Sequence, residues 1–125
     1  MAAGDGYYSV AAKNLMLDAL GAVAVYVSAH TASPGSTGTN ECVGSTRQLI
    51  TWASASAGSK SQTNTPVITG INVSDTVQFL GIWSAVTSGT YYGRIEVTPV
   101  SATGSGTWSY ATAAGTIDLN AVASA

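Results

Sequence analysis

Residues 76–84 form the segment that most constrains how this chain can fold. In an extended conformation its apolar side chains divide between both faces, with Val77, Phe79 and Trp83 on one and Leu80 and Ile82 on the other. A strand that is apolar on both faces has to be covered on both sides, as the central strand of a layered β-protein is. The segment therefore predicts a sheet with packed material on each of its faces.

Shorter segments with the period-two alternation of half-buried strands lie on both sides of this one. Glycine, serine, threonine and asparagine turns separate them, which gives about eight predicted strands. Their ranges are 23–30, 47–54, 66–69, 71–74, 76–84, 90–97, 107–111 and 116–119. Short strands at this spacing are typical of an antiparallel β-sandwich or jelly roll. We therefore predict a mainly β fold, in which the small, polar segments 53–64 and 101–106 are loops or arms ordered by a partner.

Only residues 9–20 show a convincing helix pattern. Apolar side chains there follow the spacing of one buried stripe, at Ala12, Leu15, Met16, Ala19 and Leu20. Ser9 suits the N-cap, and Gly21 suits the position after the C-cap. The polar residues fall elsewhere on the helix, toward solvent or a neighbour, and are Lys13, Asn14 and Asp18. A helix of about three turns is marginal alone, so we expect its stripe to pack on the sheet.

The length of 125 residues fits one domain. A compact domain of this size buries roughly two thirds of the surface that its unfolded chain exposes, which is enough for a core without a metal or a disulfide. We divide the chain into an N-terminal arm (1–8), the helix (9–20), a sheet region (22–119) and a tail (120–125). The single cysteine excludes an intrachain disulfide. With no apolar run of membrane-spanning length and no basic leader, we expect folding in a cytoplasm and no membrane partner.

Charged side chains are scarce. They make up 8% of the chain, against roughly 25% in typical soluble domains. Solubility must rest on serine, threonine, asparagine and glycine, and a surface of this kind costs little to desolvate. This favours a protein in permanent contact with neighbours, although a secreted or merely hydroxyl-rich β-protein has the same composition. The net charge of −2 and the scattered basic residues give no basic surface, so we expect no nucleic-acid partner.

Catalytic chemistry has little support in the sequence. His30 is the one histidine, so a serine–histidine–aspartate arrangement would have to use it, yet no glycine-framed nucleophile lies nearby. The carboxylates are far apart, and no zinc or dinucleotide spacing is present. We therefore expect no enzyme activity, no catalytic residue, no cofactor and no bound metal. Paired-carboxylate glycoside hydrolysis is the enzymatic alternative that the sequence leaves open.

Aromatic residues in the strand segments leave three roles open. These residues are Tyr26, Trp52, Trp83, Tyr91, Tyr92, Trp108 and Tyr110. They could pack in the core, form an interface with a partner, or stack against sugars, which requires exposed and coplanar rings. Two further tyrosines, Tyr7 and Tyr8, belong to the arm before the helix, where they either pack on the helix or dock on a neighbour.

Several short motifs follow one another in a distinctive order. They are Leu-Met-Leu-Asp-Ala-Leu at 15–20, Tyr-Val-Ser-Ala-His-Thr-Ala-Ser-Pro-Gly at 26–35, Thr-Gly-Thr-Asn-Glu at 37–41, Arg-Gln at 47–48 and Gly-Ile-Trp-Ser-Ala at 81–85. Over about residues 12–95 the chain resembles a family of small virion proteins from phages of actinobacteria and their relatives. Members of that family are variously labelled minor capsid or decoration proteins and minor tail or tail-fibre proteins.

The residues within these motifs predict local structure rather than chemistry. The Pro-Gly pair at 34–35 predicts a tight turn, and the Asn-Glu pair at 40–41 predicts a loop tied by side-chain hydrogen bonds. Arg47 is placed to pair with the glutamate across that loop. Gly81 would let a bulky neighbour, such as Trp52, lie close to the strand.

The resemblance implies a structural protein of the phage virion, assembled in the bacterial host cytoplasm. Our first expectation is a capsid decoration protein that binds the outside of the head, bridges subunits of the major capsid protein and forms a homo-oligomer, most simply a trimer. The alternatives are a minor tail or tail-tip protein of the same virion, and a carbohydrate-binding β-sandwich module. Candidate interface residues are Tyr7, Tyr8, His30, Pro34, Asn40, Glu41, Arg47, Tyr91 and Tyr92.

Overall fold

A computed structural model describes residues 8–112 and 115–118 of the chain. The described part contains one helix, α1 (Val10–Val23), followed by eight strands. The strands are β1 (Tyr26–His30), β2 (Gln48–Leu49), β3 (Ser59–Ser61), β4 (Val67–Asn72), β5 (Val77–Trp83), β6 (Tyr91–Val100), β7 (Thr107–Ala111) and β8 (Thr116–Asp118). This mainly β architecture with one N-terminal helix confirms the predicted fold class.

Four strands form one sheet in the order β2-β1-β5-β6. Strands β3 and β8 form a two-stranded ribbon, and β4 and β7 form another. Every one of these pairs is antiparallel. Strand β5 lies between β1 and β6, so the segment with two apolar faces is a central strand, as predicted. The described strands thus form one sheet and two ribbons, rather than the two larger sheets of a jelly roll.

The main core lies between the four-stranded sheet and the β4–β7 ribbon. The sheet contributes Val27 and Ala29 from β1 and Leu80 from β5, none of them more than 2% exposed. The ribbon contributes Ile68 and Ile71 of β4, which are fully buried in the same cluster. We call the side of the sheet that faces this ribbon its inner face, and the opposite side its outer face.

Three predictions in the sheet region differ from the structure. The predicted strand 47–54 is reduced to the two residues of β2. The predicted strands 66–69 and 71–74 are one strand, β4, which passes through a bulge at Gly70 with a φ of 79°. A Cβ at Gly70 would lie 2.5 Å from the carbonyl oxygen of Gly44, so this position requires glycine. The predicted loop 53–64 contains β3, whose Ser-Lys-Ser sequence has no apolar alternation to reveal it.

Helix α1 begins as predicted and ends later than predicted. Ser9 accepts a hydrogen bond from the backbone N–H of Ala12, which makes Ser9 the N-cap. The helix then continues through Gly21 to Val23. As a consequence, Val23 is helical rather than extended, and β1 begins at Tyr26, later than predicted.

The prediction of the buried face of α1 was wrong, because the helix packs on polar groups. Its neighbours in the segment before and within β3 offer backbone N–H groups and an ammonium group. The Asp18 carboxylate accepts hydrogen bonds from Lys60 Nζ at 2.7 Å and from the Ala55 N–H at 2.8 Å. Asn14 Oδ1 accepts one from the Gly58 N–H at 2.9 Å. The side of the helix that faces the body of the protein is therefore mixed: its buried residues are Lys13 and Leu17, and Asn14 and Asp18 form hydrogen bonds beside them.

Leu15, Met16 and Ala19 of the predicted apolar stripe point outward, whereas Ala12 and Leu20 are half-buried; Val23 in the added last turn is exposed beside the first three. Leu15 is 73% exposed, Val23 44% and Met16 37%, and Ala19 is also exposed. We call these four residues the outer face of the helix. None of the four is charged, so the exposed surface of α1 differs from the charged surface that a surface helix usually presents.

Parts of the predicted organisation lie outside the described residues. These are the tail (120–125), residues 113, 114 and 119 of the sheet region, and the N-terminal arm up to and including Tyr7. Within the described ranges, no helix has both the length and the apolarity that are needed to cross a membrane.

Candidate functional site

A series of hydrogen bonds lies on the outer face of the four-stranded sheet. The β1–β5 register brings Ser28, His30 and Trp83 together there. The Trp83 indole N–H donates to Ser28 Oγ at 2.7 Å, and Ser28 Oγ lies 2.6 Å from His30 Nε2. His30 Nδ1 lies 2.7 Å from the carbonyl oxygen of Thr39. Because a carbonyl only accepts, Nδ1 carries the proton, and Nε2 accepts from the Ser28 hydroxyl.

Gly81 makes room for this series. A Cβ at Gly81 would lie 2.6 Å from Ser28 Oγ and 2.7 Å from His30 Nε2, closer than such atoms approach. The sequence led us to expect Trp52 beside Gly81, and that expectation was wrong. The Trp52 indole instead donates to the carbonyl oxygen of Ala24 at 2.9 Å.

The loop 31–41 covers the series from outside. Its Pro-Gly turn is present as predicted, and the Pro34 carbonyl accepts hydrogen bonds from the N–H groups of Gly38 and Thr39, each at 2.9 Å. Asn40 Nδ2 donates to the Ser33 carbonyl at 2.9 Å, as expected of a tied loop. The backbone of the loop lies so close to the sheet at Gly38 that a Cβ there would overlap the Trp83 ring.

Arg47 joins this loop to the loop 84–90. Its guanidinium donates from Nε to Glu41 Oε2 at 3.1 Å and from Nη2 to Glu41 Oε1 at 3.0 Å, which confirms the predicted pair. Nη1 donates to the carbonyl oxygens of Ala85 at 3.1 Å and Ser88 at 2.8 Å. The guanidinium also stacks over Trp83, 3.6 Å from the ring centroid. Arg47 is only 8% exposed, and its side chain holds the two loops together.

The Ser28–His30 pair has the composition of a catalytic dyad but the surroundings of a structural one. Ser28 is 1% exposed and His30 is fully buried, so neither side chain is open to a substrate in this conformation. The hydroxyl already accepts from Trp83 and donates to the histidine. Among the described residues, no three His, Cys, Asp or Glu side chains are grouped in a way that could hold a metal ion.

The predicted interface residues divide by exposure. The exposed ones are Tyr8 (63%), Tyr92 (40%) and Asn40, and the half-buried ones are Glu41 and Tyr91. The chain itself covers His30, Pro34 and Arg47. These three support the loops from beneath and do not present a surface. Tyr7 lies outside the described residues, and contact of the exposed residues with a partner stays a prediction.

The aromatic residues do not form a flat platform for sugars. Trp83 is 7% exposed, and its ring meets the Tyr91 ring edge-on, with centroids 5.2 Å apart and planes at 61°. Trp108 and Tyr110 also meet edge-on, at 84°. Trp52 and Trp108 pack against the core. Packing within the chain is therefore the role that the geometry favours for Trp52, Trp83, Trp108 and Tyr110.

Sequence reasoning missed the link between Ser28, Gly81 and Trp83. The Ser-x-His spacing at 28–30 places both side chains on one face of a strand, which is a usable signal. Their partners come from β5, far along the chain, and only the strand register brings them close.

Replacing Gly81 by alanine should lower the free energy of unfolding by about 1–3 kcal/mol, because the new methyl group would press on Ser28 and His30. Gly93→Ala is the matched control: it lies in the neighbouring strand, and the nearest atom to its Cβ would be Ile82 Cδ1 at 3.9 Å. We expect the control to change the free energy by less than about 0.5 kcal/mol. Urea denaturation followed by tryptophan fluorescence measures both, and equal stability of the two variants would contradict this packing.

Stability should fall as the pH drops below the ordinary histidine range. Burial lowers the pKa of His30 below its ordinary value of 6.5, although the Thr39 carbonyl and the Glu41 charge act in the opposite direction. The unfolded chain therefore takes up the proton at a higher pH than the folded chain does. The contribution of His30 is complete above about pH 6.5 and is lost as the pH falls toward the lower folded pKa.

Urea unfolding at a series of pH values between about 7.5 and 5 measures this dependence. His30→Gln keeps a polar side chain but does not titrate, so its stability should vary less with pH over that window. The same slope in both proteins would assign the effect to another group.

One protein family matches the chain over residues 9–120, and its description is podophage GP4 fiber I protein gp80. The matched range contains the whole of α1 and every described strand. No curated protein and no solved structure matches the chain. The match supports a structural role in the virion of a bacteriophage, while the link to phages of actinobacteria stays a prediction. The chain therefore belongs to the podophage GP4 fiber I protein gp80 family.

Proposed function

We propose that the chain is a structural subunit of the fibre apparatus at the phage tail. The observation that carries this proposal is the family match over residues 9–120, since the family is described as a fibre protein. A tail location was the second of the two virion locations inferred from the sequence. The family description favours it over the outside of the head.

The scarcity of charge supports a subunit in lasting contact with neighbours. Only 8% of the residues are charged, and the outer face of the helix is apolar. A freely diffusing protein usually keeps such a face covered or charged. In an assembled fibre, an apolar and uncharged surface of a neighbouring virion protein would cover it.

The two loops that Arg47 joins also support the role of a structural subunit. Arg47 binds the loops 31–41 and 84–90 to each other through four hydrogen bonds, and both loops expose small side chains. Loops that are already rigid lose little conformational entropy when they contact a neighbour. This arrangement suits a structural contact of fixed geometry.

Capsid decoration is the other candidate, with the major capsid protein as partner. Its case rests on the same low charge and the same apolar helix face, so location in the particle separates the two. Gold-labelled antibody against the chain should mark the tail end of purified virions, with few copies per particle by quantitative mass spectrometry. Labelling spread over the head, with many copies per particle, would replace the fibre proposal by decoration.

Leu15→Glu should strongly reduce incorporation into particles, because it places a charge in the centre of the outer face of the helix, where burial without a partner is costly. Val43→Glu is the matched control, since Val43 is 78% exposed and belongs to a turn rather than to α1. Both variants should fold, and their amounts in virions are compared after complementation of a phage that lacks the gene. Equal incorporation of the two would show that the helix face has no virion neighbour.

A further inference from the structure

Strand β6 is an edge strand of the four-stranded sheet among the described strands. It is the longest described strand, with ten residues, and it pairs with β5 along one side. Along its other side the backbone N–H and C=O groups have no hydrogen-bond partner within the described part of the chain. An edge of this length is a template for one further strand.

The features that usually protect such an edge are weak in the middle of β6. Natural edge strands are blunted by lysine, by proline or by short length. The one proline of β6, Pro99, is its next-to-last residue, and residues 92–98 contain neither proline nor lysine. The charged residues in that stretch are Arg94 and Glu96, which have opposite signs.

Arg94 and Glu96 make the outer face of β6 complementary to itself. Both side chains are exposed and lie on the same face as Tyr92 and Thr98, which are also exposed. In a second copy of β6 paired antiparallel about Ile95, each Arg94 would lie opposite a Glu96. A shift by two residues in either direction would place Arg94 opposite Arg94 or Glu96 opposite Glu96, which is unfavourable.

Arg94 has hydrogen-bonding capacity left for such a contact. Within its own chain it donates from Nη1 to Ser33 Oγ and lies over the Phe79 ring, 5.1 Å from the centroid. A guanidinium carries five N–H donors in a planar fork, so the remaining groups can meet a carboxylate.

The same register brings apolar groups together on the inner face. Ile95 would face Ile95 of the second copy, and Val97 would face Gly93, where no side chain obstructs it. Ile95 and Val97 border a largely apolar cleft of about 340 Å³, together with Leu80, Tyr110 and Gly115. A second strand along the edge would remove apolar surface of Ile95 and Val97 from water.

We propose that β6 is a self-association surface, at which two copies of the chain pair antiparallel about a two-fold axis beside Ile95. Pairing would join two four-stranded sheets into one and satisfy the backbone groups of both edges together. The contact is isologous, so each Arg94–Glu96 pair forms twice. This symmetry is two-fold, whereas the sequence led us to expect a trimer. The pairing is independent of the location of the chain in the virion.

Charge reversal tests the surface and its register. Sedimentation equilibrium of the purified chain should show a monomer–dimer equilibrium. Arg94→Glu and Glu96→Arg should each raise the dimer dissociation constant about tenfold or more, because each turns two attractive pairs into two repulsive ones. The double reversal restores opposite charges and should recover most of the dimer. Ser33→Ala is the control for the contact that Arg94 makes within its own chain, and it should leave dimerisation unchanged.

A monomeric or trimeric wild-type chain would overturn the proposal, as would a double reversal that dimerises no more tightly than the single ones.

A cysteine test then fixes the register. Tyr92→Cys with Thr98→Cys in one chain should give a disulfide-linked dimer on oxidation, whereas Tyr92→Cys alone should not. The natural thiol does not interfere, because burial raises the pKa of Cys42 to about 11. Cross-linking of the single variant as efficiently as the double one would exclude the proposed register.

Discussion

Strand β5 needs cover on both faces, and the rest of the molecule is arranged around that requirement. On the inner face the β4–β7 ribbon supplies apolar cover. On the outer face the cover is polar, because the Trp83 indole, the Ser28 hydroxyl and the His30 imidazole satisfy one another in series. Within the described residues, no buried side-chain nitrogen or oxygen lacks a hydrogen-bond partner. The outer cover is therefore stable although it is built from polar groups.

Polar cover fixes positions in a way that apolar cover does not. Hydrogen bonds are directional, so the loop above the sheet has one position in which Thr39 meets the histidine and Glu41 meets Arg47. Arg47 stacks on Trp83 and donates to the Ser88 carbonyl, so the position of the second loop is fixed as well. The fibre role that we propose would use this property, because neighbouring subunits of an assembly have to meet in one orientation.

The features that the sequence predicts are local or have an unambiguous pattern. The two apolar faces of β5 and the short-range pair of Glu41 with Arg47 are of this kind. The buried face of α1 could not be predicted, because it depends on the bond of Asp18 with Lys60, 42 residues further along the chain. Strand β3 was missed for a related reason: its sequence is small and polar, and only its pairing with β8 makes it a strand. The outer hydrogen-bond series likewise depends on the register of β1 with β5.

The position of β3 has a mechanical consequence. Helix α1, the first described element, is bonded to it by the Asp18–Lys60 ion pair, and β8, the last, is paired with it. Tension applied between these two ends would run through the three-residue β3–β8 ribbon and the hydrogen bonds that join α1 to the β3 segment, rather than through the four-stranded sheet. The three paired residues of the β3–β8 ribbon would separate before the strands of the larger sheet do. Under a pull transmitted along a fibre, the distance between the ends of the described chain would thus increase while the loops 31–41 and 84–90 keep their shape.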